Sequence, residues 1–229
     1  MNNHFLKLYT VLSCLLFLTS SYAQSHDFGA WFTAGAEKKI KNWSFYLGEE
    51  LRTMQQSGTI ERLKTDLDIQ YKLSKTFKLG ASYQFIYFHD VENDDYQPRN
   101  RYNFFVQGKK GWNRFTFSLR ERLQSTWKDE TVRDYKMNPK NSWRNRLEME
   151  YNIPKSPLTP SFLVETFYQL NNPDGNRFDK IRYKLAGAYK LNKRNRLELF
   201  GAFDKEINVK NPVQRFVLGL EYKYDFKKN

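Results

Sequence analysis

Apolar and polar residues alternate strictly over residues 63–88, LKTDLDIQYKLSKTFKLGASYQFIYF. Leu63, Thr65, Leu67, Ile69, Tyr71 and Leu73 share one face, and Lys64, Asp66, Asp68, Gln70 and Lys72 share the other. A side-chain period of two belongs to an extended strand, whose successive Cβ atoms point to opposite sides. After Ser74-Lys75-Thr76 the pattern restarts, with Phe77, Leu79, Ala81, Tyr83, Phe85 and Tyr87 on the apolar face. The stretch predicts a β-hairpin of long strands, greasy on one face and charged on the other.

The same alternation recurs along the chain. Residues 28–36 predict a first strand with Phe28, Ala30, Phe32 and Ala34 on one side, and Trp43, Phe45, Leu47 and Leu51 mark a second. The hairpin supplies the third and fourth. Residues 89–98, HDVENDDYQP, predict a long polar loop, since acids and a proline interrupt the alternation. Tyr102, Phe104 and Val106 mark a fifth strand, and Lys109-Lys110-Gly111 a turn into a sixth that carries Phe115, Phe117, Leu119, Leu123 and Trp127, with Glu121 breaking its apolar face. After a polar loop at 128–140, Trp143, Leu147, Met149 and Tyr151 mark a seventh. Pro154, Pro157 and Pro160 predict a rigid turn, because proline cannot donate to a strand ladder. Strands centred on Val164, Leu185, Leu199 and Leu220 complete eleven segments.

No helix-period segment of useful length and no repeat interrupts the series, so the fold class is all-β. The connections alternate between short turns, near Lys75, Lys110, Pro157 and Lys193, and longer polar loops near Asp94, Val132, Asp174 and Val209. That asymmetry is the habit of an antiparallel up-and-down transmembrane β-barrel, with short turns on the periplasmic side. Single-chain bacterial barrels of this kind have even strand numbers with both termini inside. Eleven segments therefore predict a missed crossing and twelve strands, or a first segment outside the wall and ten.

Composition changes the picture in three ways. First, Lys7, an apolar core at 8–18 and Ser21-Tyr22-Ala23 fit an exported chain's signal peptide over residues 1–23, cleaved near Ala23 and leaving residues 24–229 as the barrel. Cleavage removes Cys14, the only cysteine, and with it any disulfide or thiolate chemistry. Secondly, residues 1–23 hold one cation and no acid, so 37 basic and 25 acidic groups remain, a net +12. Export makes nucleic acid the least favoured partner of such a surplus and leaves anionic lipid or small acidic solutes. Thirdly, mean hydropathy is −0.79 although aromatics make up 17%. Barrel strands meet lipid only at every second residue, so their average reads as polar, while Tyr, Phe and Trp collect at bilayer interfaces.

A soluble lipocalin-like periplasmic barrel, binding an apolar ligand, would instead bury the greasy face and show the charged one to water. The many large aromatics on the apolar face and the Arg–Glu pattern on the other favour the membrane reading. In that reading Glu50, Arg52, Arg62, Asp66, Arg120, Arg122, Arg144, Arg146, Glu148, Glu150, Arg182, Arg196 and Glu198 line the lumen. A basic excess in a confined channel concentrates anions, whereas the same network equally suits the bracing of a filled barrel. The two readings, structural wall and narrow passive pore for small anionic solutes, both stand on this pattern.

The segments FGAWFTAGAEKKI, WSFYLGEELRT, YKLSKTFKLGASYQF and the closing LEYKYDF resemble, across the whole mature chain, the family called domain of unknown function 2490. The resemblance implies an exported outer-membrane β-barrel of a Gram-negative bacterium. It implies no activity, cofactor or catalytic residue.

Catalytic chemistry has little to draw on. An outer-membrane surface hydrolase acting on lipids needs a nucleophile activated by histidine. Only His26 and His89 follow the signal segment, and Ser82 lies seven residues before His89. Asp90, Glu92, Asp94 and Asp95 lack the glycine and distal glutamate of a calcium loop, so neither metal nor cofactor is expected.

Overall fold

The computed structural model describes residues 25–91, 93–131 and 136–226. The expected signal peptide and its cleavage point lie outside these residues.

Each alternating segment forms a strand: β1 (Ser25–Ile40), β2 (Trp43–Met54), β3 (Thr59–Lys72), β4 (Phe77–Asp90), β5 (Asp95–Trp112), β6 (Phe115–Lys128), β7 (Lys140–Tyr151), β8 (Leu158–Gln169), β9 (Phe178–Lys190), β10 (Asn195–Glu206) and β11 (Val213–Asp225). Each pairs with its sequence neighbours, and β1 meets β11 to close a single-sheet barrel. Closure leaves no free edge along which another chain can add a strand. No helix among the described residues is long and apolar enough to cross a membrane, which says nothing about strands.

The expected counts of twelve or ten strands are both corrected: the barrel has eleven among the described residues. The wholly antiparallel wall is corrected with them. In a meander of eleven, the last strand runs the same way as the first, so the closing pair must be parallel. β1 and β11 pair in parallel from Ser25↔Val213 to Glu37↔Asp225. The even-number expectation assumed both termini at one end, whereas Ser25 and Phe226 finish at opposite ends of the wall.

Two loop boundaries also move. Pro98 lies inside β5, opposite Tyr87, and Pro160 lies inside β8, opposite Gly187. Each proline sits just past the end of the ladder on its other side, which starts at Arg99↔Lys128 for β5 and ends at Glu150↔Ser161 for β8. A missing N–H is tolerated where one side has no partner strand. The turn placed at Lys109-Lys110-Gly111 moves to 113–114, because the β5–β6 ladder continues to Trp112↔Phe115.

Short connections at 41–42, 73–76, 113–114, 152–157 and 191–194 gather at one end. The two longest, at 129–139 and 170–177, gather at the other, with 55–58, 91–94 and 207–212.

The two faces of the wall differ sharply. Large apolar side chains stand exposed all round the outside, Leu185 at 66% and Phe104 at 65% among them. Their distribution along the axis is ordered. Ring contacts mark the short-turn end at Trp43–Tyr71, Phe115–Tyr151 and Tyr224–Phe226, and the long-loop end at Tyr87–Tyr96, Tyr168–Phe178 and Phe203–Phe216. Between these two belts the outer wall is mostly aliphatic, with Leu47, Leu67, Leu119, Leu147, Leu185, Leu199 and Leu218 exposed. Polar groups on this face are paired off: Trp143 Nε1 donates to Glu121 at 2.7 Å, and Tyr83 Oη to Asn100 at 2.6 Å.

The buried apolar cluster is small and lies inside: Trp31, Ala186, Phe200, Ala202 and Val217. Gly219 stands opposite both Trp31 and Phe200 in the ladders, and a Cβ there would overlap the Phe200 ring. The glycine is therefore the space the ring occupies. Gly219→Val is expected to cost about 1–3 kcal/mol through overpacking. Urea unfolding of the refolded protein checks this, and adding Phe200→Ala should return part of the loss.

Candidate functional site

Strand pairing brings the inward side chains together level by level. The first level surrounds Trp31, which is only 5% exposed. The Arg52 guanidinium lies 3.6 Å and that of Arg182 4.6 Å from the centroid of its ring. Arg52 binds Glu50 through two hydrogen bonds, of 2.6 and 3.0 Å, and Lys64 reaches the same carboxylate at 3.4 Å. Arg182 grips Asp204 the same way, at 2.5 and 2.6 Å. Such forks suit arginine, whose planar donors match a carboxylate while its face stacks on an indole.

Next to that first level, directly opposite Arg182 in the β8–β9 ladder, a second cluster centres on Glu165 of β8, 2% exposed. Arg144 donates to it at 2.8 Å and Arg146 at 3.4 Å, while Arg144 also binds Gln124 at 2.8 Å and lies over the Phe167 ring. Across the β6–β7 ladder, Arg120 faces Arg146 and Arg122 faces Arg144. Like charges directly opposite one another repel. Glu165 offsets the β7 pair, and Arg120 instead donates to Gln107 at 2.6 and 3.0 Å, with Arg120 and Arg122 both over the Phe105 ring.

Toward the long-loop end, Glu61 joins Arg62 at 3.1 Å and Arg215 at 2.8 Å, and Arg215 also holds Asp27 at 2.7 Å across the closing pair. Asp66 accepts from Gln84 at 2.9 Å and lies 3.4 Å from Lys64. Toward the short turns, Glu198 binds Lys184 at 2.6 Å and Glu150 binds Lys109 at 2.7 Å. Glu148 and Arg196 make no ion pair among the described residues.

The thirteen residues singled out from the sequence thus separate. Glu50, Arg52 and Arg182 meet around Trp31, and Arg62 pairs with Glu61 toward the long-loop end. Arg144 and Arg146 meet at Glu165, with Arg120 and Arg122 beside them. Glu150 and Arg196 stand apart near the short turns. That set omits Glu165, Asp204, Arg101, whose Nε donates to Thr126 at 2.9 Å, and the inward rings of Trp31, Phe105, Phe167 and Phe200. Strand parity alone carried a signal for each, since all occupy the phase of the polar face. Glu61 had no such signal. It is the extra residue where the β2–β3 register shifts beyond Arg52, so a bulge turns it inward beside Arg62.

His89 is buried, stacks on Tyr96 and lies 3.0 Å from Asp94. Among the described residues no serine hydroxyl contacts it. No group of three His, Cys, Asp or Glu among the described residues is placed to hold a metal ion. Glu92 of the acidic loop lies outside those residues.

A single sheet closed on itself, apolar without and ionic within, defines an up-and-down β-barrel. The chain belongs to the family described as Protein of unknown function (DUF2490), whose model matches residues 28–224. Among solved structures it is similar to one described as the NanC porin in a rhombohedral crystal form, with a TM-score of 0.50 and 12% identity over 77% of this chain and 86% of that one. At that identity the likeness is one of fold. No curated protein matches the chain.

Proposed function

We propose that the protein is exported with cleavage near Ala23 and is an integral outer-membrane β-barrel of a Gram-negative bacterium, with a charged, net basic interior that serves as a braced scaffold. The observation that carries this reading is the ring of exposed aliphatic side chains between two aromatic belts. Every strand carries exposed large apolar side chains, whereas a soluble monomer leaves open patches of about a few hundred Å². Hydrocarbon covers the ring without cost, and aromatic girdles suit the two interfaces. Outer-membrane lipids are then its first partners.

Closure of the interior is supported by Trp31, Arg144, Glu165, Arg182 and Asp204, each at most 9% exposed where an open channel would wet them. A second reading, a narrow passage for small anionic solutes, draws on the facing arginines Arg120, Arg122, Arg144 and Arg146. A lipid hydrolase built on His89 draws only on its Asp94 contact.

Cell fractionation with heat-modifiable gel migration tests the proposal. The expected result is recovery with outer membranes and a faster band before boiling. Recovery in the soluble fraction without detergent would overturn it in favour of a periplasmic binding barrel. Planar-bilayer recordings separate scaffold from pore: silence is expected of the scaffold, and anion-selective current steps establish the passage.

A further inference from the structure

The short-turn mouth of the barrel encloses a cavity of 580 Å³ that the ionic levels deeper in do not absorb. Of its seventeen lining residues, eight are lysine or arginine and one, Glu37, is acidic. Glu37 is already engaged: Lys223 reaches it at 2.5 Å and Lys39 at 3.0 Å, and Ser44 donates to it as well. Lys109 is engaged by Glu150. Lys41, Lys72, Lys75, Lys78 and Arg196 remain without a carboxylate within ion-pair distance among the described residues. Lys78 donates to Gln70 at 2.7 Å, and Gln70 in turn donates to Asp68 at 2.6 Å, so the acid below is approached through an amide.

Cations crowded at the walled mouth of a barrel repel one another, and the wall focuses their field into the cavity. Removing that repulsion takes opposite charge from outside the chain. A monovalent anion neutralises one cation of five. A ligand with several acidic groups neutralises several at once, and charge-assisted hydrogen bonds to it are the strong ones. The volume lies within the range of small-molecule sites, about 300–1,000 Å³.

We propose that this mouth is a blind binding pocket for a small soluble oligoanion carrying two or more phosphate or carboxylate groups. On its inner side lie the buried Trp31, Arg182 and Glu165 clusters, so the ligand enters and leaves by the short-turn end. The role goes beyond the scaffold proposed above and does not depend on conduction.

The test is calorimetric titration of the protein, refolded in zwitterionic micelles, with inorganic tripolyphosphate and with citrate. Saturable binding of one equivalent is expected, weakening steeply with added salt. Lys78→Gln combined with Arg196→Gln should raise Kd at least tenfold. Neither residue holds an ion pair whose loss would unfold the barrel, and retained heat-shifted migration checks this. Lys205→Gln combined with Lys210→Gln removes the same charge at the far end and should change Kd less than twofold. Equal weakening by both pairs, or no saturable binding, overturns the pocket. Micelles doped with phosphatidylglycerol distinguish the ligand's source: an unchanged Kd fits a soluble ligand, and competition by the lipid overturns that assignment.

Discussion

Glu165→Ala is expected to lower the unfolding free energy by about 3–5 kcal/mol, the cost of stranding buried charge. Glu165 is 2% exposed and accepts from Arg144 at 2.8 Å and Arg146 at 3.4 Å, so its removal leaves two neighbouring guanidiniums unmatched, with Arg120 and Arg122 across the ladder. The destabilisation arises from the arginines that remain more than from the bonds lost. The triple change Arg144→Leu, Arg146→Met and Glu165→Leu should therefore be milder than the single one, since an apolar triad of similar volume leaves no charge unmatched. Urea unfolding followed by tryptophan fluorescence measures both variants. A loss under about 1 kcal/mol for Glu165→Ala would show that water, not Glu165, solvates these arginines, and would remove the closed-interior reading.

The outer face of this barrel was legible in the sequence because its periodicity is strict and one-sided. Leu63, Leu67, Phe85 and Leu185 fall in phase with their neighbours, and a one-residue slip would turn a whole strand inside out. The inward face was harder. Sorting residues by polarity rather than phase hid Trp31, Phe105, Phe167 and Phe200, which alternate with the charged residues and serve as platforms for guanidiniums. Closure into a barrel was legible, but the parallel sense of the closing pair was not read. Nothing in the composition of β1 or β11 distinguishes a parallel partner from an antiparallel one; only the strand count does, and the eleven segments had been discounted in favour of an even number. Glu61 shows the remaining limit, because a bulge shifts phase without a mark that a periodic pattern displays.

Ion pairs and apolar rings make complementary demands on the wall. Many inward charges are neutralised across neighbouring strands, as Arg182 to Asp204 and Lys184 to Glu198, and those pairs also staple a ladder. The outward side chains have no such partners and contribute little until something covers them.

What covers them decides the second large effect. Leu185→Arg places a charge near the middle of β9 at a 66% exposed position, between Phe162 of β8 and Gly201 of β10. In water this change is nearly neutral, within about 0.5 kcal/mol, as for most surface substitutions. In a bilayer it is expected to cost about 2–4 kcal/mol at mid-depth. Tyr189→Arg, four residues nearer the short-turn belt on the same face, should cost only about 0–1 kcal/mol, because the penalty falls toward the interface. The gradient is the decisive quantity, since a soluble barrel has no depth along which a cost can vary. Folding free energies of the two variants in phospholipid vesicles measure it. Equal and small losses at both positions would mean that water, not hydrocarbon, surrounds the leucines.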